Sequence, residues 1–167
     1  MESKVSKSAM TNGLIVGLLL SVKFLLSAQK FSFATYLSLV VSIYIVLVLF
    51  RLAISFRNKE LDGIISYKYS FRYIFQIYFY GSIISSFVIF IYTSYFNHEY
   101  LDFLFNETLK MYQAIKFPMD DQKTKFLETF CTPAPYSIAN ILISIIIGAF
   151  WGLILAAFVK KEKNIFE

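Results

Sequence analysis

The stretch Ser137–Val159, SIANILISIIIGAFWGLILAAFV, closed by Lys160 and Lys161, decides how the chain is read. It carries no charge and is apolar on every face. At about 1.5 Å per residue it is long enough to cross a hydrocarbon core of about 30 Å. It therefore reads as a transmembrane helix with a basic stop. The composition agrees, with 57% hydrophobic and 16% charged residues, against roughly 45–50% and 25% in soluble domains. The net charge of +5 would suggest nucleic acid in a soluble protein. Here the basic residues flank apolar runs, so anionic lipid headgroups are the expected partners and nucleic acid is not.

Three further runs share this character. Ala9–Ala28 follows a short polar start, Met1 to Ser8, that contains Lys4 and Lys7; Phe33–Phe56 and Ile74–Phe96 are the others. A basic start before an apolar run also describes a signal peptide. Lys23 inside the run and the weak Ser27-Ala28 cleavage context argue against that reading. The short link around Gln29 and Lys30 forces the first two spans into an antiparallel hairpin. The third helix is expected to begin before its span, near Ser66. The sequence thus predicts an all-α integral membrane four-helix bundle forming one domain over 1–167, with spans at 9–28, 33–56, 74–96 and 137–159.

Lysines and arginines near span ends set the expected orientation. One side holds Lys4, Lys7, Arg57, Lys59, Lys68, Arg72, Lys160, Lys161 and Lys163. The other holds Lys30, Lys110, Lys116, Lys123 and Lys125, the last four diluted by Glu99, Asp102, Glu107, Asp120, Asp121 and Glu128. The first side is expected to be cytoplasmic, with both termini inside. Tyr36, Tyr95 and Tyr136 fall at the outer level and Tyr67, Tyr69 and Tyr73 at the inner one, as aromatic belts do. Segment 97–136 is then periplasmic. Within it Leu101, Leu104, Phe105, Leu109, Tyr112 and Ile115 recur at helical spacing, predicting an amphipathic helix that ends at Pro118. Asp120 can cap a second helix reaching Phe130, with Pro133 and Pro135 stopping it before the fourth span. The expected result is a helical hairpin on the outer face. Asn106-Glu107-Thr108 matches a glycosylation acceptor, but a three-residue pattern is a weak signal.

The inner loop RNKELDGIISYKYSFRY, the amphipathic outer segment ending in Thr132-Pro133 and the closing GAFWGLILAAFVKK sit together in one chain. This arrangement resembles the domain-of-unknown-function family 4199, small integral membrane proteins of Gram-negative bacteria. The likeness spans nearly the whole chain and is most specific at Asp62-Gly63-Ile64-Ile65-Ser66-Tyr67 and from Gly152 to Lys161. It implies a bacterial inner-membrane location. It also implies a possible partner, a membrane-associated, lipid-linked glycosyltransferase of family 2, and no established activity.

Several residues ask for a role. Ser144, Gly148, Gly152 and Ala156 recur every four residues on the fourth span, and Gly13, Gly17 and Ser21 form a similar stripe on the first. Helices in lipid pack by close backbone approach over small residues. The stripes read as contacts inside this chain's own bundle, with a homo-oligomer or partner-subunit groove as the alternative. Lys68, Arg72 and Gln76 fall at i, i+4 and i+8, near Arg57 and Lys59. With Lys160 and Lys161 the basic members read as anchors to anionic inner-leaflet headgroups. Lys23 and Arg51 lie within spans. Snorkelling to the headgroups is the default, but Cβ bonds tilt toward a helix N-terminus and point both away from the nearer surface. No Asp, Glu or His lies within any span to pair with them.

Chemistry is thinly represented. Cys131 is the one cysteine, so an intramolecular disulfide and a cysteine-built metal site are both excluded. His98-Glu99 with Asp102 could be mistaken for a metal cluster, but a catalytic zinc needs three protein ligands in suitable geometry, and the group reads as a solvated helix face. No nucleophile set or glycine-rich phosphate loop is present. No catalytic residue, metal or cofactor is expected. The reading that follows is a non-enzymatic accessory or scaffold subunit that packs with itself or with another membrane protein. A small transporter or channel is the alternative, with Lys23, Gln76 or Asn140 as candidate lining residues; a lipid-linked enzyme comes third.

Overall fold

The computed structural model describes residues 2–29 and 31–161; Lys30 and Lys163 of the charge count lie outside them. Among the described residues the chain forms six α-helices and no strand. They are α1 (Glu2–Ser27), α2 (Ser32–Glu60), α3 (Tyr67–Ile91), α4 (Glu99–Ala114), α5 (Asp121–Phe130) and α6 (Pro133–Val159), with a π turn, Tyr92–Phe96, continuing α3. Four segments are long and apolar enough to cross a membrane: Lys4–Ser27, Phe33–Glu60, Tyr67–Phe96 and Pro133–Val159. The protein is a multi-pass membrane protein. Its lipid-facing surface is built of side chains that water would bury. Ile43 and Leu47 on α2 and Ile146, Phe150 and Phe158 on α6 all lie exposed.

The chain divides into two compact units, Met1–Ser85 with Ile141–Glu167, and Ser86–Asn140. In the first, α1 and α2 pack along each other, and Val16, Leu20, Ile45, Leu49, Ile74 and Ile77 fill the interior. The glycines set how closely the helices approach. A methyl group added at Gly17 would lie 2.9 Å from Ile84 Cβ and 3.0 Å from Gly81 O, and at Gly13 it would lie 2.7 Å from Tyr80 Cβ. On the other helix, a methyl at Gly148 would meet Tyr78 Cβ at 2.8 Å and at Gly152 would meet Phe71 Cδ2 at 3.2 Å. Both small-residue stripes therefore close on α3. Ser21, Ser144 and Ala156 are buried beside these glycines, and Ser21 Oγ donates to Gly17 O at 2.8 Å.

The loop after α2 is a tight reversal. Gly63 (φ 81°) and Asp62 (φ 51°) both take the left-handed conformation, which a glycine adopts without a Cβ clash. Gly63 N donates to Arg57 O at 3.0 Å, closing the end of α2. Ile65 then pairs with Lys161, each backbone N–H donating to the other's carbonyl at 2.9 Å. The loop is thus stitched to the residues just beyond α6.

The second unit differs from expectation at its prolines. Helix α4 stops at Ala114 rather than running to Pro118. Lys116 (φ 54°) takes the left-handed conformation that terminates helices, and the proline follows two residues later. Pro133 and Pro135 do not separate α5 from the last span; they open it, as the first and third residues of α6. A proline there gives up an N–H that has no helical acceptor in any case. Asp120 caps α5, accepting from Lys123 N at 2.8 Å. That backbone bond, with the Lys123 ammonium, holds its carboxyl below the usual carboxylate range. Within this unit Asn140 Nδ2 donates to Ser86 Oγ at 3.0 Å, tying α6 to α3. The Tyr100 and Tyr136 rings meet edge to face at 6.2 Å.

The glycine contacts predict a rank order. Gly148→Ala should destabilise the protein by about 1–3 kcal/mol, because the new methyl meets the root of Tyr78, which cannot swing aside. Gly152→Ala should cost clearly less, since its neighbour is the outer edge of the Phe71 ring. Thermal unfolding of the purified variants in one detergent checks the order.

Candidate functional site

Three places in the structure gather polar or charged side chains. The first lies between the N-terminal half of α1 and the start of α3. Asn12 Nδ2 donates to Tyr73 OH at 2.7 Å, and Ser8 Oγ lies 3.1 Å from the same hydroxyl. The Tyr73 ring is fully buried and stacks on Phe56, with centroids 4.0 Å apart. One turn further, Gln76 Nε2 donates to Ser6 Oγ at 3.3 Å. Ser70 Oγ and Gln76 Oε1 are buried and find no partner among the described residues. Gln76 was expected on a polar stripe with Lys68 and Arg72. It reaches α1 instead, and the stripe is split: Lys68 is exposed and Arg72 half-buried.

The second place is the basic group around the α2–α3 loop. Arg57 is drawn inward: its Nη1 donates to Val159 O at 2.8 Å, on the last residue of α6. A guanidinium there also meets the negative end of the helix dipole. Its Nε donates to Asn58 Oδ1 at 3.1 Å. This use is invisible in sequence, since the partner is a main-chain carbonyl 102 residues away. Lys59, Lys68, Lys160 and Lys161 are exposed, leaving their ammonium groups open to an anionic surface. Tyr67 OH donates to Leu153 O at 3.1 Å, a second bond from the loop region to α6.

The third place is a half-open pocket of about 250 Å³ in the first unit, lined by Lys23 of α1, Ser42, Val46 and the exposed Ile43 and Leu47 of α2, Tyr78 of α3, and Ile147 and Trp151 of α6. All four long helices contribute. Lys23 stands about 6 Å from the end of α1 at helical rise. Its side chain is half-buried and lines the cavity, whereas Arg51 is exposed on the outside of the bundle. The two intramembrane cations therefore differ: one turns in and one turns out. Among the described residues no carboxylate lines the pocket. Among the described residues no group of three or more His, Cys, Asp or Glu side chains could hold a metal ion. His98, Glu99 and Asp102 stand exposed on or beside the first turn of α4.

The network on Tyr73 has a measurable weight. Tyr73→Phe keeps the stack on Phe56 but leaves the Asn12 amide and Ser8 hydroxyl without their shared partner, so it should cost about 1–3 kcal/mol. Asn12→Leu added to Tyr73→Phe should recover part of the loss, because both partners are then apolar. Unfolding midpoints of the single and double variants in one detergent measure this.

No curated protein and no solved structure matches the chain. A family model described as protein of unknown function (DUF4199) matches residues 11–161, which takes in α1 from Thr11 onward, the three other long helices, the α2–α3 loop and the α4–α5 hairpin, and the chain belongs to that family.

Proposed function

We propose that the protein is a non-enzymatic accessory or scaffold subunit of a membrane assembly, held in the bacterial inner membrane with both termini cytoplasmic. The observation that carries this reading is Lys23, which lines a pocket shared by all four long helices, about one turn from the end of an apolar span. A cation in hydrocarbon is costly unless it is paired, and such residues mark functional contacts by default. The four apolar runs of this chain contain no Asp or Glu to neutralise it. The counter-charge then comes from outside the chain, and a carboxylate on a partner's transmembrane helix has the required chemistry. A lipid-linked glycosyltransferase is the partner that the family resemblance implies. The α4–α5 hairpin is periplasmic in this orientation. Lys59, Lys68, Lys160 and Lys161, all exposed, hold the cytoplasmic end against anionic headgroups.

A small transporter or channel is less well supported. Ile45, Leu49, Ile74, Ile77 and Leu155 occupy the bundle interior as one buried cluster. Coupled carriers usually keep an ionisable or broken-helix site near the midplane, and here the cavity lining other than Lys23, Ser42 and Tyr78 is apolar.

The test is affinity purification of the full chain from native membranes in mild detergent. A partner should co-purify with the wild type and with Lys23→Arg, and should be lost from Lys23→Met. Removing one member of a buried charge pair typically costs about 2–5 kcal/mol of association. The Lys23→Met chain itself should unfold no earlier than wild type, because it sheds a half-buried charge that no carboxylate of the pocket offsets. Equal recovery of the partner with Lys23→Met would defeat the proposal.

A further inference from the structure

The unit Ser86–Asn140 contains a groove of about 650 Å³ that the reading above does not use. It lies among α4, α5, the segment joining them and the start of α6. Leu104, Phe117, Met119, Phe126, Leu127 and Phe130 supply apolar walls. Its size falls within the range of roughly 300–1,000 Å³ typical of small-molecule sites. The one cation at the groove, Lys123, is already engaged. Its Nζ donates to Pro118 O at 2.9 Å, lies 3.3 Å from Asp120 Oδ2 and sits 5.4 Å from the Phe117 ring centre. The remaining polar lining groups, among them Thr108, Tyr112 and Gln122, are neutral. The groove therefore suits hydrocarbon rather than a bare anion.

The chain also indicates where that hydrocarbon comes from. Tyr136 lines the groove and belongs to Pro133–Val159, a helix long and apolar enough to span the membrane. Cys131, another lining residue, stands two positions before that helix begins. Groove and lipid-crossing helix are thus covalently continuous, and the apolar ligand supplied at the end of such a helix is the acyl chain of a bilayer lipid. Phe126 and Phe117, both in the wall, are 72% and 46% exposed, so the groove opens onto an apolar patch rather than a lone side chain.

We infer that this groove holds one acyl chain of a membrane phospholipid, taken from the leaflet in which α6 begins. This assignment is independent of the Lys23 reading and stands or fails separately from it.

Cys131, the one cysteine in the chain, serves as the reporter. The full-length protein is held in a steroid-type detergent and titrated with lysophosphatidylcholines of increasing acyl length. The rate of Cys131 alkylation by a water-soluble maleimide is followed at one fixed pH, since burial pushes this thiol's pKa up. Saturable protection is expected, with the half-protecting concentration falling about fourfold for each added methylene until the chain outgrows the groove. Glycerophosphocholine, which lacks the chain, should give no protection. Leu127→Trp, which fills the groove, should weaken protection at least tenfold. A control thiol, introduced by Ser27→Cys in a Cys131→Ser background and exposed at the end of α1, should show none. If Leu127→Trp does not fold, the chain-length series on the wild type decides alone. Protection that is absent, that ignores chain length, or that is equal at the control thiol overturns the inference. So does an undiminished alkylation rate at Cys131 in phospholipid nanodiscs, which would assign the groove to another occupant.

Discussion

The close approach of α3 to its two neighbours is the contact on which the rest of the bundle depends. Lipid tails are as apolar as the side chains they would be exchanged for, so burying leucine between helices gains little in a membrane. Backbone proximity takes the place of hydrophobic drive, and only small residues permit it. Gly17 N lies 3.0 Å from where a Cβ on Gly81 would stand, and Gly13 O lies 3.2 Å from it. Two main chains therefore meet with almost nothing between them. On the adjoining face of α3 the fit is of another kind: Gly148 receives the root of Tyr78, and Gly152 receives the Phe71 ring. One helix presents a glycine to a partner helix and aromatics to glycines elsewhere. That makes α3 the post against which α1 and α6 are set.

This division explains what could be read from the sequence. The four spans were legible because uncharged length is dictated by bilayer thickness and needs no tertiary context. The Asp120 cap was legible because its partner, the Lys123 N–H, is three residues away. The small-residue stripes were visible as patterns, but the shared target was not, since α3 shows only Gly81 and the aromatic residues that fill the opposing gaps. The ends of the hairpin helices were misread for a reason that concerns proline itself. A proline excludes helix before it more surely than after it, so Pro133 and Pro135 could open a helix as readily as close one. Helix α4 was ended by the left-handed Lys116, for which no sequence rule exists.

The basic residues show the same limit. Counting them by side treats every lysine and arginine as a contribution to one charge layer. Arg57 leaves that layer to hold the last carbonyl of α6. The Ile65–Lys161 backbone pair lies next to it and has the same effect. The α2–α3 loop and the end of α6 are thereby fixed to each other by three hydrogen bonds. An arginine suits this better than a lysine, because its fork can serve the helix terminus and Asn58 together. Charge spacing could place Arg57 at the membrane surface. It could not show which of its possible partners would win.

The polar groups of the membrane unit thus fall into two kinds. Around Tyr73, α1 and α3 satisfy most of each other's donors and acceptors, and the network needs nothing from outside except at Ser70 Oγ and Gln76 Oε1. Around Lys23 the reverse holds. Four helices contribute to the pocket that Lys23 lines, and among the described residues it offers Ser42, Tyr78 and Trp151 but no opposing charge. An unpaired charge in such a place opposes folding. Ser21, two residues earlier on the same helix, shows that a polar side chain can be made harmless there by bonding its own backbone at Gly17 O. A hydrogen bond to its own helix would satisfy a donor of Lys23 but would not neutralise its charge. On the reading proposed above, the completing group is a carboxylate on another chain, which is what a membrane domain built to be joined to a partner would require.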